Sequence, residues 1–437
     1  MFVKIALRNL LLYRKKSLGA LLSIVIAFVS LSLFEAYMHD VQSMFEATFS
    51  QRQMFADVLI ERDGTENPGR TGLDNESMNV TEQAWIESYV ETQKESVQAR
   101  VRFLNIYGYI ANGNTKSIFA GLAYDVKEGA AVRGSKYGWN TYAGVPLDQA
   151  NDPAPIIIGK GLAAVFSCTT HSAGPQLNGV VGYSSIARPF DCPEQLAQLQ
   201  VNTESNQSNA MDFKIQGLIA SGMSGVDEHL VMIPLDLAHK LFNTQLVSYM
   251  SISMKKGTAI DAWIETFNAR ASGDHLKIKA QRWQQHEMGR MFVDSIDFLA
   301  IFRNFVISII LVVVTMAILN TFIKIVHERT REIGTLRSIG FRPSFVISIF
   351  VFEALFLALS GGVIGVIASF AGQAMCNSMG LAYKAGFLSE KVPFHVTINP
   401  ADFIWITGLV SVLTVVSTLA ACVKTTRQPI AEIMADH

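Results

Sequence analysis

Four windows of this chain, 18–38, 298–323, 344–375 and 403–423, are apolar over about 20 residues or more, the length a helix needs to cross the hydrocarbon core of a bilayer. No other feature constrains the fold as tightly. In lipid every backbone amide must be satisfied without water, so such windows read as membrane-spanning helices. The third exceeds the minimum and is expected to tilt or to reach past the lipid. The first follows Arg14, Lys15 and Lys16, as the core of a secretion signal would. Its apolar run is longer than such a core, and FEAYMHD after it offers no small-x-small cleavage site, so it reads as a span.

Charge sets the orientation. Basic residues gather in three zones: Lys4, Arg8, Arg14, Lys15 and Lys16 before the first window, Lys324, Arg329, Arg331, Arg337 and Arg342 between the second and third, and Lys424 and Arg427 after the fourth. Glu328, Glu332, Glu432 and Asp436 are the acidic residues set against them. Four spans place these zones on one side, and the positive-inside rule makes that side cytoplasmic. The expected layout is a membrane protein with four transmembrane α-helices and a large α+β periplasmic domain inserted between helices 1 and 2. In segments it reads 1–17 cytoplasmic, 18–38 span, 39–297 periplasmic, 298–323 span, 324–343 cytoplasmic, 344–375 span, 376–402 short periplasmic loop, 403–423 span and 424–437 cytoplasmic tail. With 36 basic against 37 acidic residues the chain has no basic footprint for nucleic acid.

The external region is patterned as a folded domain. FADVLIERD alternates like a strand, and TEQAWIESYVET puts Trp85, Ile86, Tyr89 and Val90 on one helical face with Thr81 as the expected N-cap. SVQARVRFLNIYGYI and TKSIFAGLAYD read as a hairpin turning at Asn112-Gly113-Asn114. APIIIGKGLAAVF and HLVMIPLDLAHKLF are each a strand followed by a helix, the second helix opening at Pro234 and Asp236; DFKIQGLIA, VSYMSISMK and LKIKAQRW read as strands and DAWIETFNAR as a helix. Residues 167–210, rich in Ser, Asn and Gln, read as an inserted loop or small lobe. They hold Cys168 and Cys192, which an oxidising compartment would join as a disulfide; spacing alone does not establish the geometry, and two unpaired thiols are the less favoured alternative. Cys376 and Cys422 fall near opposite ends of the last two spans and do not pair.

Motifs for catalysis are missing. The sequence contains no H-E-x-x-H, no C-x-x-C and no G-x-x-x-x-G-K-[ST]; GNTKS lacks the glycine that lets amides wrap a phosphate, and ASGMSGV has the wrong spacing for a nucleophile elbow. LSGG (359–362) copies the start of an ATPase signature but lies inside the third span. There Gly361, Gly365 and Ser369 form a small-xxx-small row suited to close helix packing. The chain is therefore expected to be no enzyme and to bind no cofactor or metal itself.

Two polar features remain. Arg303, near the outer end of the second span, is expected to snorkel to the interface. Glu353 lies deeper, and an intramembrane carboxylate is a functional candidate by default. With no cation evident at its depth, it reads more readily as a protonated or hydrogen-bonded group facing the bundle interior. ERTREIGTLRSIGFRP (328–343), between two apolar stretches, reads as a short amphipathic helix with Ile333, Leu336, Ile339 and Gly340 on one uncharged face. Gly340 suits its end and Pro343 stops it. Composition leaves a solvated loop and a partner-binding rod equally open.

MFVKIALRNLLLYRKKS, the four-span layout and HERTREIGTLRSIGFRPSFVISIFVFEALFLALSGGVIG together resemble the permeases of the MacB/LolC/FtsX superfamily of ABC transporters. PIIIGKGLAAVF, DFKIQGLIASGM and EHLVMIPLDLAHKLF are similar to that family's external core domain, and KTTRQPIAEIMADH to its cytoplasmic ending. The ER-x-x-EIG-x-LR-x-IG pattern at 328–340 is the most specific part. The resemblance implies a dimer, with a second permease copy or a paralogue, working with a cytoplasmic ABC ATPase dimer that binds ATP and Mg. Glu328, Arg329, Glu332, Ile333, Leu336 and Arg337 would belong to the coupling helix that docks in the ATPase. The N-terminal arm, with Lys4 and Arg8 one turn apart, would be an elbow helix on the inner leaflet lipids. Hydrolysis would be transmitted to the periplasmic domain through the stalk ends of the first two spans, which is mechanotransmission. Size and layout are similar to the lipoprotein-releasing LolC/LolE branch, implying a lipoprotein or other amphipathic substrate at the bacterial inner membrane. Residues 167–210 do not match the hook by which that branch grips a periplasmic carrier, so a carrier or adaptor stays open. So do a MacB-like efflux pump and an FtsX-like activator of a periplasmic partner.

Overall fold

A computed structural model describes residues 14–47, 50–51, 53–63, 77–133, 142–171, 189–221, 224–383 and 392–426. Most of the expected elbow helix, with Lys4 and Arg8, the loop at 64–76, residues 172–188 of the expected insertion, and the tail from Arg427 onward lie outside the described residues.

The first span lies in α1 (Arg14–Ala47). Next come β1 (Val58–Arg62), α2 (Val80–Thr92), β2 (Val97–Asn112), β3 (Thr115–Tyr124), α3 (Val126–Arg133), β4 (Ala143–Gly144), β5 (Pro155–Gly159), α4 (Lys160–Val165), β6 (Thr169–Thr170) and β7 (Phe190–Asp191). After them follow β8 (Leu196–Asn202), β9 (Ser208–Ile219), α5 (Ser224–Asp227), β10 (Leu230–Pro234), α6 (Leu235–Phe242), β11 (Tyr249–Met254), α7 (Ile260–Gly273) and β12 (Ile278–Arg282). The second span lies in α8 (Glu287–Glu328); then come the short helix α9 (Thr330–Ser338), the third span in α10 (Pro343–Ser378) and the fourth in α11 (Asp402–Thr426). Two compact units result, one of membrane helices and one of α+β structure.

In the α+β unit the strands pair in the order β12-β1-β11-β2-β3-β10-β5-β9-β4, with β8 between β2 and β9. β2 is long because its first half pairs β11 and its far end pairs β8. The pairings β2-β3-β10-β5-β9-β8 therefore return to β2 and close a ring of six strands. Closure removes free edges over much of the sheet. The alternation of β8, with Ala197, Leu199 and Val201 buried, follows from one face meeting this core. Of the expected loop or lobe at 167–210, the part from Leu196 onward does not stand apart: β8 and the start of β9 belong to the main sheet, while β6 and β7 pair in a two-stranded sheet of their own. The Gln- and Asn-rich positions are the outward half of a two-residue alternation.

Helices α2 and α7 cover one sheet face through Tyr89, Trp263 and Phe267, stacked or edge-on at 5.1 to 5.7 Å. Helix α2 begins two residues earlier than Thr81 predicts. Asn79 is the N-cap: its Oδ1 accepts the Glu82 N–H at 2.9 Å while Glu82 Oε2 accepts the Asn79 N–H at 2.9 Å. The reciprocal pair satisfies two orphan donors, which Thr81 would not. The hairpin turns where expected, with Gly113 at φ +55°.

In the membrane unit the four helices long and apolar enough to span are Ser17–Met44, Val293–Glu328, Pro343–Ser378 and Asp402–Val423. Their shared core includes Ile24, Phe28, Leu31, Phe322, Val326, Phe350 and Ile406. Several threonine hydroxyls among them are satisfied locally: Thr315, Thr321, Thr407, Thr414 and Thr418 each donate to the carbonyl four residues earlier, at 2.6 to 2.8 Å. Gly361 and Gly365 face α1. A Cβ at Gly361 would lie 2.5 Å from Ile24 Cγ2, and one at Gly365 would lie 2.7 Å from the Phe28 ring. Ser369, next in that row, is fully buried.

A short helix between the second and third spans

The break that creates α9 is local. Arg329 leaves helical geometry at φ −107°, ψ 17°, and the Thr330 hydroxyl donates to the His327 carbonyl at 2.6 Å. Nine residues later the helix closes in a Schellman turn. Ile339 is the C-cap and Gly340 takes φ +98°. The Gly340 N–H reaches the Arg337 carbonyl and the Phe341 N–H reaches the Leu336 carbonyl, both at 3.1 Å. A side chain at Gly340 would be strained by that φ whatever the space around it. Pro343 then opens α10 at its first turn, where a missing N–H matters least.

The faces of α9 are unequal. Ile333 is buried against the membrane-helix core and Leu336 packs partly against it. Arg331, Thr335 and Ser338 are exposed, as are Glu328 before the helix and Arg342 after it. Glu332 and Arg337 are half-buried. Ile339, expected beside Ile333, is instead 70% exposed. Three-residue steps fall short of a full turn by about 60° each, so the row 333, 336, 339 winds off the buried face.

Arg329, expected among the residues that face a partner, turns inward. The Arg329 and Glu353 side chains are 7% and 6% exposed, and Arg329 Nη1 donates to Glu353 Oε2 at 2.7 Å. Nε donates to Glu332 Oε2 at 2.8 Å, and the guanidinium sits 4.8 Å from the Phe350 ring centroid. Burial works to lower the Arg329 pKa, but the charge of Glu353 and the bond donated to Glu332 outweigh it and hold the group above its usual range. The reading of Glu353 as a carboxylate with no cation at its depth is corrected. The cation comes from outside the span, on a side chain long enough to reach in. The only sequence signal was an Arg at the junction of a charged segment and an apolar one.

Arg303 likewise has a partner: its Nη1 lies 3.5 Å from Glu35 Oε1 on α1. In the α+β unit Cys168 and Cys192 are joined as a disulfide, Cα atoms 4.1 Å apart, while Cys376 and Cys422 form no disulfide. An open cleft of about 490 Å³ beside that disulfide is lined by Gly144, Phe190, Cys192, Lys214 and Gln216. Among the described residues no cluster of His, Cys, Asp or Glu is placed to hold a metal ion.

The described chain is thus a membrane protein with four candidate spans, an α+β domain between the first and second, and a short helix held against the bundle between the second and third. Residues 304–430 match the family described as FtsX-like permease C-terminal. Over 235 residues the chain is 23% identical to an uncharacterized ABC transporter permease of Methanocaldococcus jannaschii, covering 53% of this chain and 57% of that protein. It is 27% identical over 187 residues to the macrolide export ATP-binding/permease protein MacB of Brucella abortus, covering 40% of this chain and 28% of that one. The chain thus spans little more than half, or less, of these relatives' lengths. Among solved structures, the periplasmic region of MacB from Actinobacillus actinomycetemcomitans covers 55% of this chain and 92% of its own at 8% identity and a TM-score of 0.32. Residues 304–430 thus match an FtsX-like permease domain, and the relatives to which the chain is similar are ABC transporter permeases, MacB among them.

Proposed function

We propose that this chain is the permease subunit of an ABC transporter in which a separate ATPase acts on α9 from the cytoplasm. Movement there passes through the membrane helices to the α+β domain in the periplasm of a bacterial inner-membrane system. The observation that supports this reading is the two-sided character of α9: one face buried in the membrane-helix core, the other exposed with Arg331, Thr335 and Ile339. A solvated loop needs neither a buried face nor a capped end. An ATPase docking on the exposed face would bind ATP and Mg; this chain would bind neither. A second copy or a paralogue would complete the assembly, and the cargo would be a lipoprotein or another amphipathic molecule handed over at the outer face. The macrolide export name of the Brucella relative favours a second reading, efflux through an envelope adaptor.

The test is gentle purification of the tagged full chain in detergent, with mass spectrometry of what accompanies it. A soluble ABC ATPase together with a lipoprotein supports extraction, and the ATPase with an adaptor supports efflux. A chain that purifies with no ATPase from its own host refutes the coupling role of α9.

A further inference from the structure

Besides the packing of Ile333 and Leu336 in the membrane-helix core, helix α9 is tied to the third span in two further ways. One is the backbone through Gly340 and Pro343, which begins at a glycine with φ +98°. A single turn of that kind fixes the end of α9 but resists rotation of the helix about it poorly. The other route is a side chain. Glu353 lies ten residues into α10, about 15 Å along its axis from Pro343. It is bonded to Arg329, which lies at the opposite end of α9 from the Gly340 turn. The same guanidinium holds Glu332 on α9 itself. Both side chains of the 2.7 Å pair are more than nine-tenths buried, and an Arg fork binding two carboxylates is a rigid connection.

We propose that Arg329 is a positioning residue: its buried pair with Glu353 pins the start of α9 to the third span, so that a push on the exposed face of α9 turns α9 and α10 together. This deepens the reading of α9 as a coupling helix and rests on it for the origin of the push. The mechanical part stands on its own. Removing one partner strands a buried charge, whereas removing both does not, so the two single variants must not be additive.

The test uses the full chain in lipid nanodiscs with Arg329→Gln, Glu353→Gln, the double variant, and Arg329→Lys, which keeps the charge but loses the fork. Hydrogen–deuterium exchange over 330–340 is expected to rise roughly a hundredfold in each single variant. It is expected to rise much less in the double variant and by an intermediate amount in Arg329→Lys, while 24–31 in α1 exchanges as in the wild type. In the complex with its co-purified ATPase, the single variants should retain the ATPase but lose any ATP-driven change in spin-label distances within the α+β domain. Wild-type exchange over 330–340 in both single variants, or additive effects in the double, overturns the pinning role. Undiminished ATP-driven distance changes in both single variants overturn its role in coupling. A wild-type chain that recruits no ATPase refutes the coupling reading instead, and the exchange data still decide whether the pair pins α9.

Discussion

Gly365→Ala tests the packing of the membrane unit where the geometry is tightest. The added Cβ would lie 2.7 Å from Phe28 Cγ and Cδ1 and 2.9 Å from Phe28 Cβ. Carbon pairs rest at about 3.5–4.0 Å, so α1 and α10 must part by about 1 Å or Phe28 must turn. Turning is opposed: Phe28 is fully buried and its ring stacks on Phe403 at 5.8 Å. The helices therefore separate, and overpacking of this kind costs about 1–3 kcal/mol. Gly408→Ala on α11 is the control. A Cβ there meets nothing within 4 Å, and alanine gains up to about 1 kcal/mol in helix propensity. Thermal unfolding in nanodiscs can be followed with a thiol-reactive dye, because Cys422 is buried until the bundle opens; Cys376→Ser removes the background. Gly365→Ala should unfold earlier than the wild type and Gly408→Ala no earlier. Equal midpoints for Gly365→Ala and the wild type, or an equal drop in both variants, would refute the close-packed seam.

Other expectations follow from single observations. Reducing or replacing the Cys168–Cys192 bond, which closes a separation of 24 residues, should destabilise the α+β domain by about 3 kcal/mol in the chain-entropy account, read as a lower unfolding midpoint under reductant. Burial lowers the pKa of His239 from 6.5 against the opposing pull of the Leu246 carbonyl. Its contribution to stability is thus complete above pH 6.5 and fades as pH falls through the folded value, and His239→Gln should flatten that loss in an unfolding series. Charge reversal at Glu332 or Arg337, both half-buried on α9, should abolish substrate-linked ATP turnover while leaving membrane insertion intact; normal turnover in both would count against α9 as the coupling element.

Much of the architecture was legible because lipid and sheet impose simple periods. Twenty apolar residues in a row admit little but a span, and the alternation in β12 appears in the sequence as it does in the sheet, whereas β1 and β11 are buried on both faces. Strand β8 was harder to read. Its outward residues are Gln and Asn, so LAQLQVN looks like a polar insertion until β2 and β9 supply the partners that bury Ala197, Leu199 and Val201. The cap of α2 was misplaced by two residues because Thr81 is a good N-cap in isolation, while the reciprocal Asn79–Glu82 pair is better. At the site, the C-terminal end of α9 was readable from Gly340 and Pro343. The Arg329–Glu353 pair was not, since it joins residues 24 apart whose local contexts, one charged and one apolar, give no sign of each other. Arg303 and Glu35 were hidden in the same way, on helices separated by the whole α+β domain.

The central claim is that the exposed face of α9 is where an ATPase acts. The direct measurement places a photo-crosslinking amino acid at Ile339, which is 70% exposed, and in parallel at Ile333, which is 1% exposed, in the full chain in its native membrane. Adducts are identified by mass spectrometry. The account predicts that Ile339 yields an adduct with an ABC ATPase and that Ile333 yields only links within this chain. An Ile339 probe that captures lipid alone, or a periplasmic protein, would contradict it.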